Sequence, residues 1–438
     1  MRLLVLGSGG REHAILWCLQ QTADIKLELY CAPGNAGIAE IATCIPASLA
    51  DHSALINLAK AEAIDLTVVG PEVPLAAGIV DEFENNGLAI IGPSQAASRL
   101  ESSKAFAKNF MARHKIPTAK YCVVSSAAEA QEILRSGLFG PPSSRIVLKA
   151  DGLAAGKGVV IADSRAEAEE SARTLFSGQL VPADAVNELV IEVALQGREA
   201  SLLLFTDGLD YALMPAARDH KRIGENDTGP NTGGMGAVTE PTILNAALLD
   251  RIVNDIVKPT LAGARDEGFP FRGVLFLGLM LTPEGPKLLE YNVRMGDPET
   301  QAILVRLKTS LLAIFEAIRT GTLRQLKVEW TADASACVVL ASRGYPAKYE
   351  IDLPIEGLQR VASMEDIIIF HAGTKLSNSG EVVTSGGRVL GVTARGETLE
   401  KALRQCYSAI NQIKWEGMQY RRDIGQFKQL SSPAYHRE

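Results

Sequence analysis

The chain has 438 residues, 47% of them hydrophobic, and a formal net charge of −7 at pH 7. A chain of this length exceeds one compact core, which predicts roughly two to four domains. The acidic balance argues against a nucleic-acid partner bound through bulk electrostatics, and the longest later apolar run, at 273–281, is too short to span a bilayer.

Short apolar runs alternate with helical patterns through residues 1–100. Strands are predicted at 3–6, 27–31, 66–70 and 88–91. Helices are predicted at 13–21, 53–62 and 75–85. This alternation is typical of βαβ units around a parallel sheet. Because ligands bind at the carboxyl ends of the strands in such sheets, we expect the loops G-S-G-G-R-E-H, A-P-G-N-A-G and G-P-E-V-P to form one site.

A single helix is predicted over 94–114, with Lys104 near its middle. A small α+β unit follows, which we interpret as a lid, with elements at 120–124, 127–136, 145–149, 165–176 and 189–193. From 199 to about 321 the pattern is mainly antiparallel, with a hairpin of strands at 273–281 and 287–293. The last hundred residues form another α+β unit, with elements at 336–341, 388–393 and 399–413.

The strand at 287–293 carries the most informative polar pattern. Glu290, Asn292 and Arg294 are spaced by two residues, which places them on one face of a strand, about 6.6 Å apart for each step of two. A carboxylate and an amide oxygen suit Mg²⁺, which takes one or two protein carboxylates and fills its other positions with water and phosphate oxygens. Arg294 suits a carboxylate or a phosphate. The alternative is an exposed strand with ordinary polar residues, which the following G-D-P-E-T disfavours.

Two glycine-rich segments predict phosphate contacts. G-S-G-G-R-E resembles a dinucleotide fingerprint, but Glu12 replaces its third glycine, so the N–H groups of Gly9 and Gly10 favour a single phosphate over NAD. A plain tight turn remains the alternative. Lys149 ends a buried-looking strand before D-G-L-A-A-G-K-G, and a lysine there needs an anionic partner. This loop is not a Walker A motif, because Gly158 follows Lys157; the alternative is a glycine hairpin with solvated lysines.

The segment at 219–237 is polar, rich in glycine and too long for a simple turn, which favours a functional loop. Within it, His220 is interpreted as a solvated loop histidine rather than a general base. His371 is interpreted as structural. The strand ending at Glu192 could present backbone groups to an adenine, with Glu199 near a ribose, although the pattern alone also fits a structural strand.

Taken in chain order, these motifs resemble those of ATP-grasp ligases and, more closely, of the glycinamide ribonucleotide synthetase (phosphoribosylamine–glycine ligase) family. The shared motifs are G-S-G-G-R-E-H-A (7–14), P-G-N-A-G, V-G-P-E, S-K-A-F, H-K-I-P-T-A, K-A-D-G-L-A-A-G-K-G-V, D-H-K-R, D-T-G-P-N-T-G-G-M-G-A, R-M-G-D-P-E-T-Q, H-A-G-T-K and G-G-R-V-L. The chain has E-V-A-L at 192–195 where the family usually has E-E-F-L, and it has Val293 and Met295 where the family usually has Cys and Phe.

The resemblance implies an α/β and α+β multidomain fold. Its parts would be an N-terminal parallel α/β substrate-binding domain (1–103), a central ATP-grasp domain (104–325) with a small lid subdomain (about 118–191), and a C-terminal α+β domain (326–428). The implied reaction is ATP-dependent ligation of glycine to 5-phosphoribosylamine through a glycyl phosphate, in purine biosynthesis. No protein nucleophile is needed for this reaction.

The resemblance also implies residue roles. Contacts with ATP are implied for Lys104, Lys149, Gly156, Lys157, Gly158, Glu192, Leu195 and Glu199. Ligands of Mg²⁺ or Mn²⁺ are implied at Glu290 and Asn292. Phosphoribosylamine contacts are implied for Gly9, Gly10, Asn35, Glu72, Asp219, Asn231, Thr232, Gly233, Gly234, Met235 and Gly236. Arg294 would contact the glycine carboxylate, and the implied catalytic residues are Arg294, Lys149 and Asp219.

Two alternative functions remain at this stage. Another ATP-grasp ligase or a carboxylase that uses bicarbonate is disfavoured by the T-G-P-N-T-G-G-M-G loop and by the lack of a biotin-carrier segment. A non-catalytic ATP-binding module is disfavoured by the intact set of Lys149, Lys157, Glu290, Asn292 and Arg294.

The six cysteines show no C-x-x-C spacing, which fits a reducing compartment. We expect a soluble cytoplasmic monomer that acts on small molecules, without a nucleic-acid or membrane partner.

Overall fold

The computed structural model describes residues 1–152, 158–178 and 188–427. Its N-terminal part is a sheet of five parallel strands in the order β3-β2-β1-β4-β5. The strands are β1 (Arg2–Gly7), β2 (Glu28–Pro33), β3 (Thr43–Cys44), β4 (Leu66–Val69) and β5 (Ile90–Ile91). The helices are α1 (Gly10–Thr22), α2 (His52–Ala61), α3 (Glu72–Ala76) and α4 (Ile79–Asn85). The predicted parallel α/β arrangement is confirmed.

Two predicted helices are each divided in the structure. The helix predicted at 75–85 is wrong, because Gly78 adopts a left-handed conformation with φ +92° between α3 and α4. The helix predicted at 94–114 is also divided, into α5 (Gln95–Ser102) and α6 (Lys104–Arg113). Ser103 is extended there, and its Oγ accepts the N–H of Phe106 at 3.0 Å as the N-cap of α6. Lys104 therefore begins a helix, where the sequence pattern placed it mid-helix.

The second part is a four-stranded sheet in the order β6-β9-β7-β8, with two helices packed against each other. Its elements are β6 (Tyr121–Val124), α7 (Ala127–Arg135), β7 (Ile146–Ala150), β8 (Val159–Ala162), α8 (Arg165–Phe176) and β9 (Leu189–Val193). The predicted α+β unit is confirmed. A cluster of buried apolar residues around Leu148, Ala172 and Ile191 gives this unit its own core.

The third part is a nine-stranded sheet with the path β17-β16-β10-β12-β15-β18-β22-β19, from which β11 pairs with β10. Its first strands are β10 (Arg198–Asp207), β11 (Tyr211–Leu213), β12 (Ala217–Asp219), β15 (Gly236–Thr239), β16 (Arg272–Thr282) and β17 (Gly285–Asn292). Its last strands are β18 (Ala334–Ala341), β19 (Ile367–His371) and β22 (Arg388–Gly396). This sheet therefore crosses the predicted boundary between the second and third domains.

Short hairpins and helices complete this part. The hairpins are formed by β13 (Arg222–Gly224) with β14 (Thr228–Asn231) and by β20 (Thr374–Leu376) with β21 (Val382–Thr384). The helices are α9 (Ala246–Ile252), α10 (Lys258–Asp266), α11 (Glu299–Leu304), α12 (Leu311–Thr320), α13 (Leu358–Ala362) and α14 (Leu399–Ile410). No helix within the described ranges is long and apolar enough to cross a membrane.

A shared apolar core fixes the N-terminal sheet against the large sheet. One cluster of buried residues includes Leu4 and Phe83 of the N-terminal part together with Leu204, Leu277 and Tyr291 of β10, β16 and β17. Burial of this apolar surface is the main force that holds the two parts together. The loops at the carboxyl ends of the parallel strands are thereby held close to the end of β17.

Three buried histidines have lowered pKa values. His13 of α1 and His371 of β19 lie together where the N-terminal and C-terminal parts meet, and the Nδ1 of His13 accepts the N–H of His371 at 2.9 Å. Burial lowers the pKa of His13 to about 3 and that of His371 to about 4. Burial likewise lowers the pKa of His220 to about 4. All three are therefore neutral in the folded protein at neutral pH.

These histidines make stability depend on pH. In the unfolded chain a histidine has a pKa near 6.5, so between that pH and the folded pKa the unfolded state binds more protons and stability falls as pH falls. At pH 5.5, about one unit below the unfolded pKa, each histidine costs about 1.4 kcal/mol. We expect His13→Gln to remove about that much of the loss between pH 7.5 and pH 5.5, measured by urea denaturation.

The difference in pH dependence between His13→Gln and the wild type measures the contribution of His13 alone, because other titrating groups are present in both proteins. Burial raises the pKa of Glu299 to about 7, so Glu299 gains protons in the folded state first and stabilises the protein as pH falls, with the opposite sign. The same pH dependence in the variant and the wild type would contradict the role given to His13.

Candidate active site

The predicted metal edge lies at the end of β17, next to β16. Gly278 of β16 pairs with Glu290, and a β-bulge places Leu289 outside the regular pairing. Tyr291 is 2% exposed and packs inward, whereas Glu290 and Asn292 are only partly buried. Since alternate residues of a strand point to opposite faces, the predicted sharing of one face by Glu290 and Asn292 fits the strand.

Glu290 is a carboxylate surrounded by cationic side chains. Burial alone would raise its pKa, but Lys221, Lys149 and Lys104 outweigh burial and hold the pKa of Glu290 below its usual value. In the described ranges no group of three or more His, Cys, Asp or Glu side chains is arranged as a metal site. One ionised carboxylate and one amide oxygen instead fit a hard cation that takes its remaining ligands from phosphate oxygens and water.

Arg294 lies just beyond β17 and faces the N-terminal part. Its Nε pairs with Glu72 at 3.1 Å, its Nη2 pairs with Glu101 at 3.1 Å, and its Nη1 donates to the carbonyl of Met295 at 3.1 Å. Although burial lowers the pKa of a guanidinium, Glu101 and Glu72 raise the pKa of Arg294 above its usual value. The structure thus brings the predicted residues Arg294 and Glu72 together, and it adds Glu101, which lies in no predicted site motif.

The buried lysine of β7 has a carboxylate partner within the protein. Lys149 pairs with Glu192 at 2.5 Å and donates to the carbonyl of Leu289 at 3.2 Å. Lys108 of α6 pairs with the same carboxylate. Burial would raise the pKa of Glu192, but Lys149 and Lys108 lower it, so it stays ionised. The anionic partner that Lys149 requires is thus Glu192 rather than a ligand alone.

This pairing gives Glu192 a role within the protein. Its side chain is 1% exposed and is the counterion of two lysines, and its implied contact with ATP stays a prediction. Leu195, beyond the end of β9, is half-buried, and Glu199 on β10 pairs with Lys221 at 2.9 Å.

The lid loop is described in part. Lys104 donates from Nζ to the carbonyl of Gly152 at 2.7 Å, which joins the start of α6 to the start of this loop. The carbonyl of Gly158 accepts the N–H of Ala150 at 2.8 Å. The implied ATP contacts at Gly156 and Lys157 lie outside the described residues.

The first glycine loop is organised around Glu12. The N–H of Gly9 donates to Oε2 of Glu12 at 2.6 Å, and Arg11 donates from Nε to Oε1 at 2.6 Å. In this structure the carboxylate of Glu12 therefore accepts the N–H of Gly9, and the contact of that N–H with a phosphate stays a prediction. Gly10, the first residue of α1, keeps its position at the helix N-terminus.

Gly70 leaves room for this carboxylate. A β-carbon at position 70 would overlap Oε1 of Glu12. We expect Gly70→Ala to displace Glu12 and to lower the free energy of unfolding by roughly 2 kcal/mol, the typical loss of a hydrogen bond to a charged group. Urea denaturation measures this change. Glu12→Ala removes the obstacle, so the double variant should lose little more than Glu12→Ala alone; additive losses would contradict the clash.

Asn35 has a structural role that the sequence did not predict. Its two amide hydrogens go to the carbonyls of Ser8 and His371, each at 2.8 Å, and its Oδ1 accepts the N–H of Ile38 at 2.9 Å. The side chain therefore joins two N-terminal loops to the C-terminal part. Both amide hydrogens are used in these contacts, and the implied contact of Asn35 with phosphoribosylamine stays a prediction.

The loop after β14 is held by the C-terminal part. The N–H of Gly233 donates to the hydroxyl of Tyr345 at 3.0 Å, and Arg388 donates to the carbonyls of Gly233 at 2.7 Å and Asp297 at 2.8 Å. Asn231, Thr232 and Gly233 lie at the surface, Thr232 only partly, whereas Gly234, Met235 and Gly236 are buried. The side chain of Met235 belongs to the core, so the implied substrate contact of Met235 would involve its backbone and stays a prediction.

Two further carboxylates, Asp219 and Glu299, interact electrostatically with each other, and Asp219 also interacts with Glu290. Burial raises the pKa of Asp219, and Glu199 and Glu290 raise it further against the opposing effect of Lys221. Glu299 receives a hydrogen bond from Ser201 at 3.3 Å. Glu299 had no predicted role, and Arg388 was named only as part of the G-G-R-V-L motif.

His220 is neither solvated nor free, which corrects the sequence interpretation. It is 1% exposed, its Nε2 accepts the N–H of Gly425 at 2.9 Å, and its ring stacks on Phe427 with centroids 4.5 Å apart. Together with the lowered pKa, this packing makes His220 an anchor for the end of the described chain. His371 is structural, as interpreted.

Family models match nearly the whole chain. The phosphoribosylglycinamide synthetase N domain matches residues 1–101, the ATP-grasp (A) domain residues 102–300, and the C domain residues 335–427. A phosphoribosylamine–glycine ligase of Agrobacterium fabrum is 46% identical over 425 residues, which cover 97% of this chain and 98% of that protein.

Solved structures show the same architecture. The crystal structure of a phosphoribosylamine–glycine ligase from Thermotoga maritima is 36% identical and superposes with a TM-score of 0.83, covering 97% of this chain and all (100%) of that one. A biotin carboxylase from Campylobacter jejuni is 13% identical with a TM-score of 0.72, covering 96% of this chain and 92% of that one. The second likeness concerns the fold alone.

Proposed function

Since this chain belongs to the phosphoribosylglycinamide synthetase family, we propose that the cleft between its N-terminal sheet and β17 joins glycine to 5-phosphoribosylamine. The enzyme is an ATP-dependent phosphoribosylamine–glycine ligase of purine biosynthesis. The observation that carries the site assignment is the position of the ionised Glu290 among Lys104, Lys149 and Lys221.

The chemistry explains why such a site needs many cations. The glycine carboxylate is a poor electrophile, because attack would add negative charge to an anion. One glycine oxygen attacks the γ-phosphorus of ATP and ADP leaves, which gives glycyl phosphate. The amine of phosphoribosylamine then attacks the carbonyl carbon, loses a proton, and expels phosphate. Phosphoryl transfer depends on positioning and charge neutralisation rather than on a protein nucleophile.

The divalent metal of this ATP-grasp ligase fits the edge of β17. We assign Glu290 and Asn292 as its protein ligands, and oxygen donors of this kind suit Mg²⁺ or Mn²⁺. Bound there with ATP, the metal supplies positive charge at the phosphate oxygens. Lys104 and Lys149 add two ammonium groups, and the segment at 152–158 would cover the phosphates and exclude water.

The remaining residues are assigned to ATP, glycine and phosphoribosylamine. The backbone at 194–195 and the side chain of Glu199 would hold adenine and ribose. Arg294 would contact the glycine carboxylate. Phosphoribosylamine would lie between Gly10, Glu72 and Asp219, with the exposed part of the loop at 231–234 beside it. We further propose the domain division 1–103, 104–325 and 326–428, with the lid at about 118–191.

A monomer in the cytoplasm is the simplest form of this enzyme. Residues from all three proposed domains of one chain meet here, for example Glu72 with Arg294 and Gly233 with Arg388. The six cysteines are free thiols, as expected in a reducing compartment. Light scattering during gel filtration tests the monomer, and a stable dimer peak would reject it.

The assay of function measures ADP release with phosphoribosylamine generated in situ, with and without glycine. We expect ADP formation to require glycine, because glycine carries the oxygen that attacks ATP. ADP release that is independent of glycine would contradict the proposed reaction.

A further inference from the structure

Glu101, near the carboxyl end of α5, holds the segment that follows the proposed metal ligands. Its Oε1 pairs with Nη2 of Arg294 at 3.1 Å, and its Oε2 accepts the N–H of Val293 at 2.7 Å. The Glu101 side chain is 9% exposed. Both contacts fall on two successive residues, so this one carboxylate fixes the main chain and the guanidinium of the same segment.

Arg294 keeps donors for a ligand while it is held. A guanidinium has five N–H groups, and Glu72, Glu101 and the Met295 carbonyl use three of them among the described residues. Two N–H groups remain, which is the number that a bidentate contact with a carboxylate needs. The protein contacts thus fix the orientation of Arg294 without exhausting its donors.

Only a carboxylate can serve both partners of Glu101. The Val293 N–H and the Arg294 Nη2–H are both donors, so the side chain between them must accept on both oxygens. Burial raises the pKa of Glu101, and Glu72 raises it further, whereas Arg294 and the N–H of Val293 lower it. Burial thus disfavours the charged form of Glu101, and the two donors, Arg294 and the N–H of Val293, stabilise that form.

We propose that Glu101 is a positioning residue for glycine, which holds the guanidinium of Arg294 in the orientation that meets the glycine carboxylate. The inference rests on the proposed function, in which Arg294 contacts glycine. Glu101 itself touches no substrate. Its position two residues before the N-cap Ser103 also links the glycine contact to α6, where Lys104 begins.

The test is steady-state kinetics of Glu101→Gln. The amide of glutamine has one acceptor oxygen and places an NH₂ group against one of the two donors, so Arg294 loses its fixed orientation. We expect the KM for glycine to rise at least about tenfold, with the KM for ATP and the kcat at saturating glycine changed less than about threefold. A fold defect alone would not separate the two substrates in this way.

Arg294→Lys and the double variant Glu101→Gln with Arg294→Lys complete a double-mutant cycle. Arg294→Lys should raise the glycine KM as well, and the double variant should not exceed the larger single effect, because both residues act through one contact. Glu84→Gln, on the exposed side of α4, is the matched control and should leave all constants unchanged. Glu101→Asp, which keeps the charge on a shorter side chain, should give a smaller rise and serves if Glu101→Gln does not fold.

The outcomes separate this inference from the proposed function. If Arg294→Lys raises the glycine KM but Glu101→Gln only lowers the melting temperature, Glu101 is structural and the inference is overturned. If Arg294→Lys leaves the glycine KM unchanged, the glycine contact of the proposed function fails instead.

Discussion

Glu290→Ala is expected to lower glycine-dependent ADP formation by on the order of a thousandfold, which corresponds to about 4 kcal/mol of transition-state stabilisation. Glu290 is the one protein carboxylate proposed to hold the metal, and its pKa is held low by Lys221, Lys149 and Lys104. Without it those cations lose their counter-charge and the metal loses its anionic protein ligand. A coupled assay of ADP release at saturating substrates measures the loss.

The matched control is Glu284→Ala, in the exposed turn of the same hairpin. This variant removes the same type of side chain from the turn, at the opposite end of β17 from Asn292, and it should keep wild-type turnover. Since Glu290 lies among several cations, loss of stability alone is a second explanation for low activity. Unfolding midpoints of both variants, measured under the assay conditions, separate the two. Near-normal turnover in Glu290→Ala would reject the metal assignment.

Local patterns predicted the fold of this chain well where periodicity was strong. The alternation of apolar runs and helices gave the parallel sheet, and the small α+β unit at 121–193 lies where it was expected. Helix breaks were missed because they depend on single residues. Gly78 takes φ +92°, and Ser103 is extended and caps α6. Neither residue interrupts the apolar pattern, so the two breaks have no periodic signal.

The candidate site was predictable where one segment carries the chemistry. Glu290, Asn292 and Arg294 share one strand end, and their spacing places them at one edge. Contacts between distant segments were not predictable, because side-chain partners depend on the packing of the sheets. Glu101 meets Arg294 across 193 positions and Arg388 meets Gly233 across 155 positions of the chain.

The first glycine loop pairs with a side chain of its own segment, which the sequence prediction did not include. The N–H of Gly9 was expected to hold a phosphate, yet it donates to Glu12, three residues further along. The signal was present, because a glutamate three positions after the N-cap can accept the backbone N–H of the N-cap residue, as in one half of a capping box. Glu12 in place of the third glycine therefore fits two interpretations. It fits a single phosphate in place of NAD, and it also fits a loop whose backbone N–H donates to its own glutamate.

Lys149 of β7, which pairs with Glu192, is expected to be important for the use of ATP. Lys149→Met is expected to lower kcat/KM for ATP by roughly a hundredfold to a thousandfold, the range found when one preorganised donor is removed from a developing charge. The side chain of methionine keeps most of the length of lysine but no charge. Lys108 remains paired with Glu192, so the buried carboxylate keeps one counterion and the fold should persist. Initial rates at varied ATP measure the change.

The partner of Lys149 makes this test specific. Glu192→Gln removes the charge that Lys149 and Lys108 share, and leaves two buried lysines, so it should destabilise the protein by several kcal/mol. Lys149→Met instead leaves one charge of each sign and should cost much less stability. Lys120→Met, at an exposed position before β6, controls for the loss of a lysine. If Lys149→Met kept the wild-type kinetics for ATP, the ammonium group of Lys149 would serve only to neutralise Glu192. Lys104 would then be the lysine that neutralises the charge of the phosphates.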